Sequence, residues 1–356
     1  MRSLDNNTKA FLALVKGGLW ESDVRLLPFG NIDFSQVLKL AEDQSVVGLV
    51  AAGLDHAVDE KPPKEIVLQF IGQALQLEQR NQDMIQFAKS IASNLRKAGI
   101  RVLLVKGPAI AQCYDRPLWR ACGDIDLFVS KEDFRKADII LSAIATTKFQ
   151  YARFSKSSGL LIDGWNVELH GTLRCGLSSK LVKETDAVQQ QVFENNDIKI
   201  WRDGESDIMI PDVDSDLFLL FTHFVRHFYK EGVVIRQLCD WCRFLWTYHD
   251  KLDIDLLTKR LQRTGLMGEW MAFAALAVDT LGMPVEAMPL YSDEKKWHEK
   301  GVMILDFIMK GGFQKKMRDT FVLARIFPIN TLKFLPSIWF HLNGVKIKER
   351  VFGDGN

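Results

Sequence analysis

Asp124 and Asp126 stand one residue apart in the stretch Arg120-Ala-Cys-Gly-Asp-Ile-Asp-Leu-Phe-Val129. On an extended strand, side chains at i and i+2 point to the same face. Two carboxylates so placed repel each other unless a cation lies between them. A divalent ion removes that cost and gains two oxygen ligands. Gly123, just before the pair, lets a phosphate or another chain approach closely. A D-x-D alone is a weak signal, since about one arises by chance in a chain of this length. Here it opens a predicted strand, behind a glycine and after a strand that breaks at Lys106-Gly107-Pro108. A third carboxylate lies in Val167-Glu168-Leu169-His170, which alternates, so that Glu168 and His170 share one face. A neighbouring strand of the same sheet would bring Glu168 beside the aspartates. Three carboxylates on adjacent strands suit two Mg2+ ions that hold an attacking and a leaving phosphate oxygen in line. His170 alone reads as readily as a packing or capping residue.

The elements that must position these groups show in the patterning. The first hundred residues read as helix: Ser35 to Leu54, a break at Lys61-Pro-Pro-Lys64, then a long helix from about Glu65 to Ala98, ended by Gly99. Leu77, Met84, Ile85, Ala88, Ile91, Ala92 and Leu95 form its apolar stripe. From Ile100 the texture changes. Arg101–Val105 and the stretch from Asp124 to Val129 read as strands, the second with a buried inner half. Ser130-Lys-Glu-Asp133 fits an N-cap with acids in the first turn of a helix reaching about Ala145. Residues 149–154, 160–162, 166–170 and 198–201 are short strand candidates. Residues 217–229, 234–249 and 258–281 return to helix. The expected fold is α+β: a small mixed sheet with helices on one side, set between two helical regions. The boundaries fall at 1–99, 100–212 and 213–356.

Lys+Arg total 46 against 45 Asp+Glu, so no global field favours nucleic acid or an anionic membrane. No run reaches the ~18 apolar residues of a membrane span. The N-terminal apolar run, Phe11 to Val15, is too short for a secretory signal, and a cytoplasmic protein is expected. Five cysteines make no disulfide framework, and Cys239-Asp-Trp-Cys242 reads as a buried helix face. His223 and His227, at i and i+4, share a helix face. They would bind zinc only with a further carboxylate, and a core or cleft-lining role is the simpler reading. Phe313 to Arg350 holds eight Lys/Arg against two acids among several aromatics. It reads as solvated charges on a terminal helical hairpin, or as a basic amphipathic segment in weak contact with a membrane or polyanion.

Lys106-Gly107, Arg120-x-x-Gly123-Asp-Ile-Asp-Leu-Phe-Val129 and Val167-Glu-Leu-His170 together resemble the uncharacterised nucleotidyltransferase family of the DNA polymerase β-like superfamily. The likeness is good over about residues 100–175. It extends more loosely to Asp43–Leu49, His223-x-x-x-His227 and Arg236-Gln-Leu-Cys-Asp240. The resemblance implies that Asp124 and Asp126 bind catalytic Mg2+ and that Glu168 is the third carboxylate, holding a metal and accepting the proton of an incoming hydroxyl. It places Gly107, Gly123 and His170 around the nucleotide, with Lys106 and Arg120 neutralising phosphate charge. His223, Arg226, His227, Arg236 and Asp240 would form the far wall of the cleft. Two departures touch triphosphate binding. Pro108 stands where the superfamily has serine, removing a hydroxyl and an N–H donor, and the spacing from Gly107 to Asp124 is longer than usual.

The implied activity is transfer of a nucleoside monophosphate from an NTP to a hydroxyl-type acceptor, releasing pyrophosphate. A small molecule, a saccharide or a protein is favoured as acceptor over a long nucleic acid. Pro108 keeps open an inactive binding or regulatory module. A D-x-D glycosyltransferase fits poorly, because the residues before the motif are helical rather than α/β.

Overall fold

The computed structural model describes residues 4–150, 156–203, 206–311 and 317–352, the side chains at 150, 203, 206, 317–318 and 341–352 excepted. The chain opens with α1 (Asn6–Trp20), capped by Asp5, and α2 (Phe34–Asp43), capped by Asp33. α3 (Val47–Asp55) follows, then α4 (Lys64–Lys97). The stretch from Ser35 to Leu54 is thus two helices rather than one, parted where Ser45 adopts a left-handed φ of 56°. Next come β1 (Val102–Val105), α5 (Gly107–Ala111), β2 (Ile125–Val129), α6 (Phe134–Ser142), β3 (Thr147–Gln150), β4 (Ser157–Ile162) and β5 (Trp165–His170). The strand expected over 149–154 begins at Thr147, and residues 151–154 lie outside the described residues. α6 starts a turn later than expected. The Ser130 hydroxyl accepts from the Asp133 N–H, closing a separate turn, so Glu132 and Asp133 precede the helix instead of filling its first turn.

The chain continues through α7 (Ser179–Glu194), β6 (Ile198–Asp203) and β7 (Ser206–Pro211). It ends in α8 (Val213–Lys230), α9 (Ile235–Tyr248), α10 (Ile254–Thr264), α11 (Met267–Leu281), α12 (Lys295–Met309), α13 (Met317–Ile326) and α14 (Pro328–Phe352). The five-stranded sheet has the order β1-β2-β5-β4-β3; β2 and β5 run parallel and the other neighbours antiparallel. The fold is α+β, a mixed sheet flanked by helices.

Alternation along the strands sorts the sheet into two faces. Val102, Leu104, Ile125, Leu127, Val167 and Leu169 pack on the stripe of α4 and on Ala137 and Leu141 of α6. Leu103, Val105 and Phe128 meet Val192 and Phe193 of α7, with the Phe128 and Phe193 rings 5.0 Å apart. Helices therefore cover both faces, not one, because α7 supplies a second layer. All five residues of β2 are buried, Asp126 among them, where a half-buried strand was expected.

Helices from both ends of the chain share one apolar core. Phe11 and Leu14 of α1 belong to the same cluster as Phe221, Trp241, Trp270 and Phe273. The Trp270 ring lies 4.8 Å from those of both Phe221 and Trp241. All five cysteines are free and buried, Cys239 and Cys242 within this core. Among the described residues, no helix is long and apolar enough to cross a membrane.

Where sheet and helical body join, Arg120 donates from Nε to Asp240 Oδ1 at 2.9 Å and from Nη2 to Oδ2 at 2.6 Å. The Tyr114 hydroxyl donates to Oδ1 at 2.7 Å. All three residues are buried. Gly48 completes the joint: a Cβ there would stand 2.0 Å from the Trp119 carbonyl oxygen. Removing one member of a buried ion pair leaves the other charge unpaired, at a cost of about 3–5 kcal/mol. Asp240→Ala is therefore expected to lose that much stability in urea unfolding, and Arg120→Met/Asp240→Leu much less. A loss in Asp240→Ala no larger than that of the double variant would contradict the assignment.

Candidate functional site

The acidic groups meet because of strand register. β2 and β5 lie side by side with Asp126 directly opposite Glu168 and Phe128 opposite His170. All four side chains therefore project from the sheet face away from α4. On the other side of β2, Val105 pairs with Asp126, so the residue after it, Lys106, leaves the sheet beside the aspartate. Lys106 takes a φ of 56°, uncommon for a side chain of its kind, and its Nζ reaches Asp126 Oδ1 at 2.7 Å. Gly107, at φ 36°, comes so close to the aspartate loop that a Cβ would lie 3.3 Å from the Asp124 carbonyl oxygen.

His170 Nε2 also contacts Asp126 Oδ1, at 2.7 Å, and lies 3.4 Å from Glu168 Oε2. Asp126 is only 2% exposed. Burial alone would push its carboxyl up, but the Lys106 charge and the His170 hydrogen bond outweigh this and hold it well below the usual carboxylate range. The hydrogen bond from His170 likewise lowers Glu168, against the effect of burial. Burial opposes charge on His170 itself, yet the bonds to Asp126 and Glu168 raise its pKa. Asp124 sits just ahead of β2 and is shifted the other way, raised by burial and by the negative charge of Asp126. One aspartate is thus held as a firm anion and its neighbour is a weaker acid.

Asp126, Glu168 and His170 each offer an atom to a group whose members lie within 4.8 Å of one another. Two carboxylate oxygens and an imidazole nitrogen within that distance form a donor set that could hold a divalent cation. Asp124 stands outside that group. It was expected with Asp126 and Glu168, and both of those carboxylates act on its charge. Gly123 is exposed, and a Cβ there would meet nothing within 4 Å, leaving open space before the aspartates. Arg120, expected to face phosphate, is instead buried against Asp240. Arg236 lies nearer, donating from Nη1 to the Ala121 carbonyl at 3.1 Å and lowering Asp124 by its charge.

α8 contributes a hydrogen-bonded series. His227 Nδ1 lies 3.1 Å from Glu231 Oε2, and His227 Nε2 lies 2.9 Å from His223 Nε2. With Nδ1 donating to the carboxylate, neutral His227 accepts at Nε2, so His223 donates from Nε2 and keeps Nδ1 as an acceptor. Burial and then the charge of Lys106 hold His223 well below its ordinary value, and His227, Arg226 and His170 act on it in the same direction. Burial brings His227 down to about 4 despite Glu231. Among the described residues this pair finds no carboxylate completing a three-ligand cluster, so the zinc reading gains no support.

Three contributors were not anticipated. Glu231 orients the histidine pair. Arg80 of α4 donates to the carbonyls of Cys122 and Gly123, and Asn81 Nδ2 donates to those of Leu118 and Arg120 at 2.7 and 2.8 Å, together fixing the loop that delivers Asp124. Asn81 carried a readable signal: it is a polar residue in line with the apolar stripe of α4, which marks a buried network.

A family model described as uncharacterised nucleotidyltransferase matches residues 30–282, and the chain belongs to that family. No curated protein and no solved structure matches it significantly.

The histidine shift has a signed consequence. A group raised on folding adds stability that is fully present below its unfolded pKa, ~6.5 for histidine, and is lost as the pH rises through the folded value. In chelator-treated protein, the stability advantage of wild type over His170→Gln is expected to be largest at acid pH and to shrink above about 6.5. Urea unfolding across pH checks this; an advantage that grows with pH contradicts it.

Proposed function

We propose that this nucleotidyltransferase moves a nucleoside monophosphate from an NTP to an acceptor hydroxyl, with Mg2+ as the metal. The observation that carries the reading is the register of Asp126 against Glu168 on one sheet face, beside a lysine and a histidine, in a chain of this family. In the reaction the acceptor oxygen bonds to the α-phosphorus, the bond from that phosphorus to the pyrophosphate oxygen breaks, and the hydroxyl proton passes to a base.

Asp126, held as an anion, and Glu168 would hold the metal, with Asp124 at its edge. A divalent cation bound there neutralises phosphate charge and aligns the reacting oxygens. Glu168, 28% exposed and next to His170, would receive the hydroxyl proton. Lys106 can turn from Asp126 towards the phosphates, and Arg236 adds a second positive charge behind Asp124. Gly107 and Gly123 leave the backbone open to the triphosphate. The helical wall, His223 above all, faces the acceptor. The acceptor is a small molecule, a saccharide or a protein side chain, in a cytoplasmic setting.

A binding module without turnover is the second reading. It is favoured by Pro108, which offers no N–H, and by the two positive partners already on Asp126 Oδ1. The two readings part on one experiment: the protein with Mg2+, each NTP and cell extract, followed by mass spectrometry of the products. Transfer predicts nucleotide adducts on an acceptor, with Asp126→Asn lowering their yield by about a thousandfold while its circular dichroism stays native. NTP bound but not consumed supports the module, and an Asp126→Asn protein with full turnover overturns the metal assignment.

A further inference from the structure

The last two helices are apolar on two opposite sides. The inner side of α14 is well anchored: Phe334 and Ile338 are buried, and Asn330 Nδ2 donates to both oxygens of Glu269 at 2.8 and 2.9 Å. The Phe334 ring packs 5.0 Å from Tyr229 of α8. The outer side, at the complementary helical spacing, carries Ile329, Leu332, Trp339 and Phe340, which are 67, 69, 57 and 72% exposed. Phe321 of α13, 73% exposed, adds to the exposed apolar surface of these two helices. A helix apolar all round is ordinarily covered all round, and apolar surface of this extent on a folded protein marks a contact.

The charges identify the partner. Arg325 and Lys333 are exposed among these residues, and no exposed position described on α13 or α14 carries an acid; Asp319 is buried. We propose that the outer face of α13 and α14 rests on an anionic phospholipid surface. Trp339 and Phe340 would enter the headgroup boundary, and the two cations would pair with lipid phosphates. Among the described residues neither helix is long and apolar enough to cross a membrane, and the proposed contact lies in the plane of the interface. A second copy of the chain fits worse, since two-fold apposition of this face brings like charges together. A nucleic acid fits worse too, because rows of cations, not exposed Ile, Leu and Phe, bind phosphate backbones.

The test is co-sedimentation of the full chain with vesicles of phosphatidylcholine alone or with one third phosphatidylglycerol, alongside light scattering of the protein without lipid. The expected result is binding to the anionic vesicles, weakened by salt. W339S/F340S is expected to lower the partition coefficient by about tenfold or more with an unchanged melting temperature, because both side chains are exposed. R325E/K333E is expected to abolish the preference for phosphatidylglycerol. Absence of binding to either vesicle, equal binding to both, or a dimer that W339S/F340S dissolves overturns the proposal.

Discussion

A carboxylate with 2% exposure cannot remain ionised inside an apolar sheet without positive partners. Asp126 is that carboxylate, and much of the surrounding structure follows from keeping it charged. Lys106 must leave β1 at the position that faces it, which requires the left-handed turn at 106 and a glycine at 107. His170 must share its sheet face, which requires a parallel β2–β5 pair in the observed register. In the proposed reaction, an incoming cation and phosphates would displace or recruit the same positive groups that neutralise Asp126. The charges of Lys106, His170 and Asp126 thus balance one another within the sheet.

The two aspartates of the motif do different work. Asp126 lies within the sheet and is pinned, whereas Asp124 lies in the loop ahead of it and is the weaker acid. That loop is fixed from behind by Arg80 and Asn81 of α4 and from the side by the pairing of its own Arg120 with Asp240 of α9. Helices before and after the sheet in sequence therefore set the position of one short segment. The shared apolar core of α1, α8, α9 and α11 makes them one support.

The α+β class, the long helix α4 and the strands β1, β2 and β5 were legible in the sequence, because alternation and apolar stripes encode them directly. His170 was legible as a neighbour of Glu168, but its bond to Asp126 depends on register, which alternation does not specify. Arg120 was expected to neutralise phosphate charge on the family resemblance alone, and its buried pairing with Asp240, 120 positions along the chain, has no local signature. α7 escaped notice although Leu181, Thr185, Val188 and Val192 recur at helical spacing, since polar residues fill the positions between. The union of the first and last helices in one core has no local signature at all.

The most direct measurement is anomalous diffraction from crystals soaked in Mn2+ with a non-hydrolysable NTP analogue. The account predicts a metal peak at about 2.1 Å from a carboxylate oxygen of Asp126, with Lys106 or His170 moved off Oδ1. A bound nucleotide with no metal at Asp126, or a metal held elsewhere while both contacts to Oδ1 persist, would contradict it.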